Sequence, residues 1–150
     1  MFKKGQVSTE YLVILAVVLV VALVVVALVS GMSPLSSGVS QSQSANYWAG
    51  VSPFAITAWK YSGTTLQMTL QNQAGQQVTL TGITGGDGLT YSNSSVFAVG
   101  TVQTVTITGM TACGSTGTSF DISDVVLTYN NGAISALVQK GAKDIVGTCS

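Results

Sequence analysis

The sequence predicts an α+β chain: a long, hydrophobic N-terminal α-helix serving as a stalk, then an antiparallel β-sandwich-like head. Three observations predict it. Tyr11–Val29 is apolar without a break. Ser30–Asn46 (SGMSPLSSGVSQSQSAN) turns serine-rich and uncharged. From Tyr47 onward apolar residues recur with a period of two, as half-buried strands require. The expected divisions are residues 1–5, 6–29, 30–46 and 47–150.

The apolar run is rich in valine, which favours strands in water, but its length argues for a helix. Buried strands run about four to eight residues, whereas these nineteen residues make a helix of roughly 28 Å, close to the hydrocarbon thickness of a bilayer. Inside lipid a lone segment must satisfy its own backbone groups, so it has to be helical. Apolar residues occupy every face rather than one stripe, so the helix is surrounded by lipid or by other helices. Lys3 and Lys4 precede it and place the N-terminus on the cytoplasmic side. Glu10 stands at the lip of the segment, where an ionised side chain is costly.

Pro34 removes a helical hydrogen bond and clashes one turn back, so the stretch 30–46 reads as a bend or linker. In the head, Leu66, Met68 and Leu70 alternate with Thr65, Gln67, Thr69 and Gln71. Asn72–Gly75 supplies turn chemistry, with Val78 and Leu80 as the expected antiparallel partner. Val105 and Ile107 form another strand, and Val125, Leu127 and Tyr129 a third. Asn131-Gly132 suits a two-residue hairpin leading into Ile134, Ala136 and Val138. Phe54–Tyr61 and Ile145–Cys149 are weaker strands, and phase slips at Gly82–Ile83 and Gly100–Val102 suggest bulges or bends. A head of roughly 105 residues can bury a real core.

Composition excludes several functions. Only 7% of residues are charged, with no arginine and no histidine, and the net charge is zero. Three lysines in the head, Lys60, Lys140 and Lys143, cannot build a nucleic-acid groove. Two cysteines without histidine do not make a zinc site, and a serine or cysteine nucleophile has no imidazole base. No cofactor, metal site or catalytic residue is expected. Gly85-Gly86-Asp87-Gly88 lacks the lysine of a phosphate loop and reads as a tight turn. Asp121 and Asp124 suit a solvated loop better than a calcium site. Trp48, Trp59 and Tyr61 suit packing better than a sugar-binding platform. Asn93-Ser94-Ser95 matches the N-glycosylation pattern between two strands. Cys113 and Cys149 either stay free thiols or, in an oxidising place, form one disulfide. That bond would close a loop of about 37 residues, worth roughly 3–4 kcal/mol in the chain-entropy model.

Three readings of the N-terminus compete. A secretory signal peptide has a shorter apolar core and a small-residue cleavage site, and Val29-Ser30-Gly31 serves poorly as one. A plain signal anchor is physically adequate but leaves Glu10 without a role. The third reading rests on Lys4-Gly5-Gln6-Val7-Ser8-Thr9-Glu10-Tyr11-Leu12, which resembles the class III signal peptide of archaeal type IV pilin-like proteins.

The resemblance covers residues 3 to about 29. It implies that a membrane-embedded prepilin peptidase cuts between Gly5 and Gln6, with Lys3 and Lys4 in the leader. Glu10 then becomes the fifth residue of the mature chain. In a bundle of such helices the carboxylate needs a counter-charge, and the new α-amino group of Gln6 on a neighbouring copy offers one. The resemblance further implies a non-enzymatic structural subunit that begins in the cytoplasmic membrane. With its assembly machinery it becomes a homo-oligomeric helical filament at the cell surface, for adhesion or attachment. The alternative is a non-polymerising, membrane-anchored pilin-like protein that binds a ligand or initiates a filament.

Overall fold

The computed structural model describes residues 4–30 and 33–150, in two compact units, Met1–Ser36 and Ser37–Ser150. Lys3 lies outside the described residues. Helix α1 spans Lys4–Ser30, with Lys4, Gly5 and Gln6 in its first turn. Within it, Ser8–Ala27 is long and apolar enough to cross a membrane. Its large side chains, from Tyr11 to Val26, stand exposed on every side.

Helix α2 spans Ser33–Gly50. The stretch expected to be a bend or linker is therefore helical from Ser33, and Tyr47 falls in the last turn of a helix. Pro34 is the second residue of α2, at a helix start where a missing N–H costs nothing. The end of α2 is fastened to the head. Ser44, 3% exposed, donates from Oγ to the Asp144 carbonyl at 2.6 Å and accepts the Val146 N–H at 3.4 Å. The Tyr47 hydroxyl accepts the Ala142 N–H at 2.8 Å. Trp48 is fully buried and lies so close over Gly141 that a Cβ there would overlap its ring.

The head holds ten strands. β1 (Phe54–Ser62), β2 (Thr65–Asn72) and β6 (Val102–Ile107) make an antiparallel sheet in the order β1-β2-β6. A five-stranded sheet contains β3 (Val78–Thr84), β4 (Thr90–Tyr91), β5 (Ser95–Phe97), β8 (Val126–Asn130) and β9 (Leu137–Lys140). Its order is β4-β3-β8-β9, with β5 also on β3. β7 (Ser119–Ile122) and β10 (Ile145–Thr148) form a separate antiparallel pair. Leu66, Met68 and Leu70 from the first sheet share one buried cluster with Val78, Leu80, Ile83 and Leu127 from the second. The alternation in β2 thus does what its pattern demands: alternate residues face the core and the threonines and glutamines between them do not.

Two expectations are corrected. β2 and β3 are not hairpin partners: β2 pairs with β1 and β6, and β3 pairs with β4, β5 and β8. The turn chemistry after β2 serves a crossing between sheets, and Asn72 governs it. Asn72 is 1% exposed, and its Nδ2 donates to the carbonyls of Gln76, Phe97 and Ala98 at 2.9–3.1 Å. Its Oδ1 accepts the Ala74 N–H at 2.8 Å, and its main chain bonds Thr101 and Gly100. A side chain that satisfies four backbone groups fixes two connections at once, which simple alternation cannot reveal.

The second correction concerns Asn131-Gly132. β8 and β9 do form a hairpin, but the paired residues are Tyr129 and Leu137, so the connection is longer than two residues. The Asn131 side chain accepts the Ile134 N–H, and the Asn130 side chain accepts the Ala136 N–H, both at 2.9 Å. Ile134 sits in this loop rather than in a strand, and Ile134 and Val138 are both exposed. Gln139 takes the inward position instead. It is buried, and its amide both accepts the Phe54 N–H and donates to the Phe54 carbonyl. One side chain thereby joins β9 to β1, each in a different sheet.

The Trp48 contact gives a direct test. Gly141→Ala drives a methyl group into a fully buried indole, and the head should lose about 1–3 kcal/mol. The denaturation midpoint of the full chain in detergent micelles reads the effect. An unchanged midpoint would mean that the end of α2 does not depend on this packing.

Candidate functional site

Within Ser8–Ala27, the membrane-length part of α1, Glu10 is the one charged residue. Glu10 is exposed, and Thr9, Glu10, Val13 and Ile14 line a shallow groove. Successive turns place these positions on one side of the helix. Among the described residues the salt bridge present is Lys140–Asp124, at 3.6 Å on the head surface. An isolated carboxylate among valines and leucines is tolerable at a lipid headgroup boundary and unfavourable in a dry helix bundle. Further along, Ala16, Val17, Val20 and Val21 line a second, wholly apolar groove.

In the head, Cys113 and Cys149 are bonded, with Cα atoms 5.8 Å apart. The bond ties the residue after β10 to the loop between β6 and β7. Main-chain bonds reinforce it: Gly117 N–H to the Cys149 carbonyl, Cys149 N–H to the Thr118 carbonyl, and Ser150 N–H to the Tyr61 carbonyl, at 2.8–2.9 Å. The C-terminus, which frays in most domains, is held here from three directions.

The remaining candidates resolve into structure. Trp48 and Tyr61 are buried. Trp59 packs against the core and donates from Nε1 to the Val146 carbonyl at 3.2 Å, so the three rings make no exposed platform. The Tyr61 hydroxyl donates to the Thr111 carbonyl, and burial, helped by the nearby Asp87 charge, pushes its pKa up. Gly85–Gly88 folds back on itself, with the Gly85 N–H bonded to the Leu89 carbonyl at 3.1 Å. Gly86 lies against Ser123, leaving no room for a side chain without displacement. Asp124 adopts a positive φ and faces Lys140, whereas Asp121 is on β7 rather than in a loop. Among the described residues no three metal-ligating side chains converge. Asn93 is exposed between β4 and β5, and the Ser95 hydroxyl of its motif lies 2.8 Å from the Tyr91 hydroxyl.

Asp121 gains a neighbour that no local pattern announces. It is paired across the strands with Val146, which brings it to Asp144. Desolvation raises its pKa, followed by the Asp144 charge and a hydrogen bond between the two carboxyl groups, then by Asp87. The folded head therefore holds the Asp121 proton more tightly than the unfolded chain does. The stability linked to this group is full below the ordinary carboxylate pKa and is lost as pH rises through the raised one. Asp121→Asn should raise the head's melting temperature at neutral pH, and the gain should vanish in acid. A melting curve at each pH checks it; an equal shift at both would show that charge is not the cause.

Residues 3–29, under a fifth of the chain, match the family model for the Class III signal peptide. No curated protein and no solved structure matches the chain. A class III signal peptide leading into an apolar helix of membrane-spanning length fits a type IV pilin-like precursor, anchored in a membrane before export to the surface.

Proposed function

We propose that the chain is the structural subunit of a type IV pilus-like surface filament, polymerising through α1 and serving adhesion or attachment. The observation that carries this reading is the class III match over residues 3–29, with Glu10 as the one charge in an otherwise apolar span, Ser8–Ala27. In this reading prepilin peptidase removes residues 1–5, recognising Lys3, Lys4 and Gly5 ahead of Gln6. Residues 6–29 form the filament core, and the following helix and head coat it. The β-rich head supplies surface rather than catalysis, and Asn93 is the position open to a glycan.

The chemistry of cutting gives Glu10 its partner. Hydrolysis of the Gly5–Gln6 bond leaves a new amine on Gln6, positive at neutral pH. In a bundle of apolar helices each charge left alone costs several kcal/mol. Copies stagger so that the amine of one meets the carboxylate of its neighbour, and a slipped register strands both. The pair therefore selects an alignment more than it adds net adhesion.

Mass spectrometry of the native surface-exposed protein tests the processing. The expected mature chain begins at Gln6 and retains all of α1. A chain beginning near Ser30 would mean that the helix is a discarded secretory signal, and an intact Met1 would mean a plain anchor.

A further inference from the structure

The end of α2 is seated on one short segment of the head. Ser44 donates to the Asp144 carbonyl and accepts the Val146 N–H, the Tyr47 hydroxyl accepts the Ala142 N–H, and the Trp48 ring packs over Gly141. These partners all fall within residues 141–146, which run into the start of β10. Trp59 holds the same segment from β1, donating to the Val146 carbonyl. A bond from the Gln73 amide to the Ala49 carbonyl, at 3.1 Å, joins α2 to the head elsewhere, but it is exposed. The seat is therefore as firm as the segment 141–146 is.

At its start the segment is tied to the five-stranded sheet, where the Gly141 N–H donates to the Val125 carbonyl at 2.8 Å. Its far end depends on β10, which belongs to neither large sheet. Among the described residues β10 pairs with β7 alone. Two strands of four residues each are too short to persist by pairing alone. Ile122 and Ile145 add buried apolar surface, but β8 and β9 separate the two strands along the chain, so joining them costs loop entropy. The Cys113–Cys149 bond removes much of that cost, because it holds the residue after β10 beside the loop that leads into β7. The main chain of Cys149 bonds Gly117 and Thr118 at that point, a ladder the covalent link keeps in place.

We propose that this disulfide is the latch of the α2 seat. With the bond closed, residues 141–146 are ordered and the end of α2 docks on them. With it open, the two large sheets stay folded while that segment, β10 and the end of α2 come free as one locally unfolding unit. Closing the latch is a thiol–disulfide exchange. The thiolate of one cysteine attacks a disulfide carried by an oxidising partner, and the second cysteine displaces that partner from the mixed disulfide. Two electrons and two protons leave with the partner, which departs as a dithiol. The head thus takes hold of α2 only where such an oxidant is present. The large sheets do not share this dependence: the side-chain bonds of Asn72 and Gln139, which tie them together, reach no residue of the latched segment. The latch is independent of the filament reading above.

Hydrogen–deuterium exchange of the full chain in detergent micelles tests the latch. The oxidised chain is compared with two open forms: the same chain in dithiothreitol, and a chain carrying both Cys113→Ser and Cys149→Ser. Alkylation followed by mass measurement verifies that the bond is closed in the first and open in the second. Opening should speed exchange about a hundredfold in peptides covering residues 44–50 and 141–148, the scale of losing one such closure. β2 (Thr65–Asn72) should keep its protection in both open forms. Removing dithiothreitol in the presence of oxidised glutathione should restore slow exchange to the chain that has its cysteines. Seat peptides that exchange as slowly in the open forms as in the oxidised chain would overturn the latch. Loss of protection in β2 together with the seat would overturn it as well, because the bond would then hold the whole head rather than one segment.

Discussion

Everything in this chain depends on a helix that water cannot be allowed to cover. From Tyr11 to Val26 the large side chains of α1 are exposed on all sides. Apolar surface on this scale has two stable surroundings, lipid or other apolar helices. The first suits a precursor and the second suits an assembled state. Passing from one to the other leaves the hydrophobic term nearly unchanged, because lipid chains are about as apolar as leucine. The decision between them must then come from something else, and the candidate in the sequence is Glu10.

The head answers a different demand. It must remain folded with a modest core and few charges, so polar side chains join its layers. Asn72 binds the crossing between sheets, Gln139 pairs with Phe54 as a strand would, and the disulfide holds the C-terminus. Asn72 and Gln139 are buried with their partners met, the condition under which burial does not cost stability. Trp48 departs from this, since its Nε1 is buried with no partner among the described residues. Its ring contact with Gly141 and its edge-on packing with Tyr47 offset that loss.

The range of each signal decides what can be read in advance. The apolar run, the leader residues and the alternation of β2 are local, and each carries its meaning within a few residues. The pairing of strands does not. Turn residues after β2 resemble a hairpin because Asn72–Gly75 has the right chemistry, yet the bonds Asn72 makes go to Phe97, Ala98 and Thr101. The short strands β4, β5 and β7 offer too few residues for a period to register. Ile134 and Val138 fit a core-facing strand by pattern, but the loop held by Asn130 and Asn131 takes Ile134 out and shifts the inward position to Gln139. Asp121 and Asp144 meet only because β7 and β10 pair.

Glu10, in the filament reading, governs assembly rather than anchoring. Glu10→Gln should leave membrane insertion and cleavage at Gly5 intact, because it removes a charge from the edge of an apolar helix and leaves the leader untouched. Filaments counted from the same cells should fall sharply, since the Gln6 amine loses its counter-charge in a low-dielectric bundle. The amine must be verified by mass in the unmodified filament, because a cyclised glutamine carries no charge. Normal filaments in normal numbers from the Glu10→Gln chain would contradict that role.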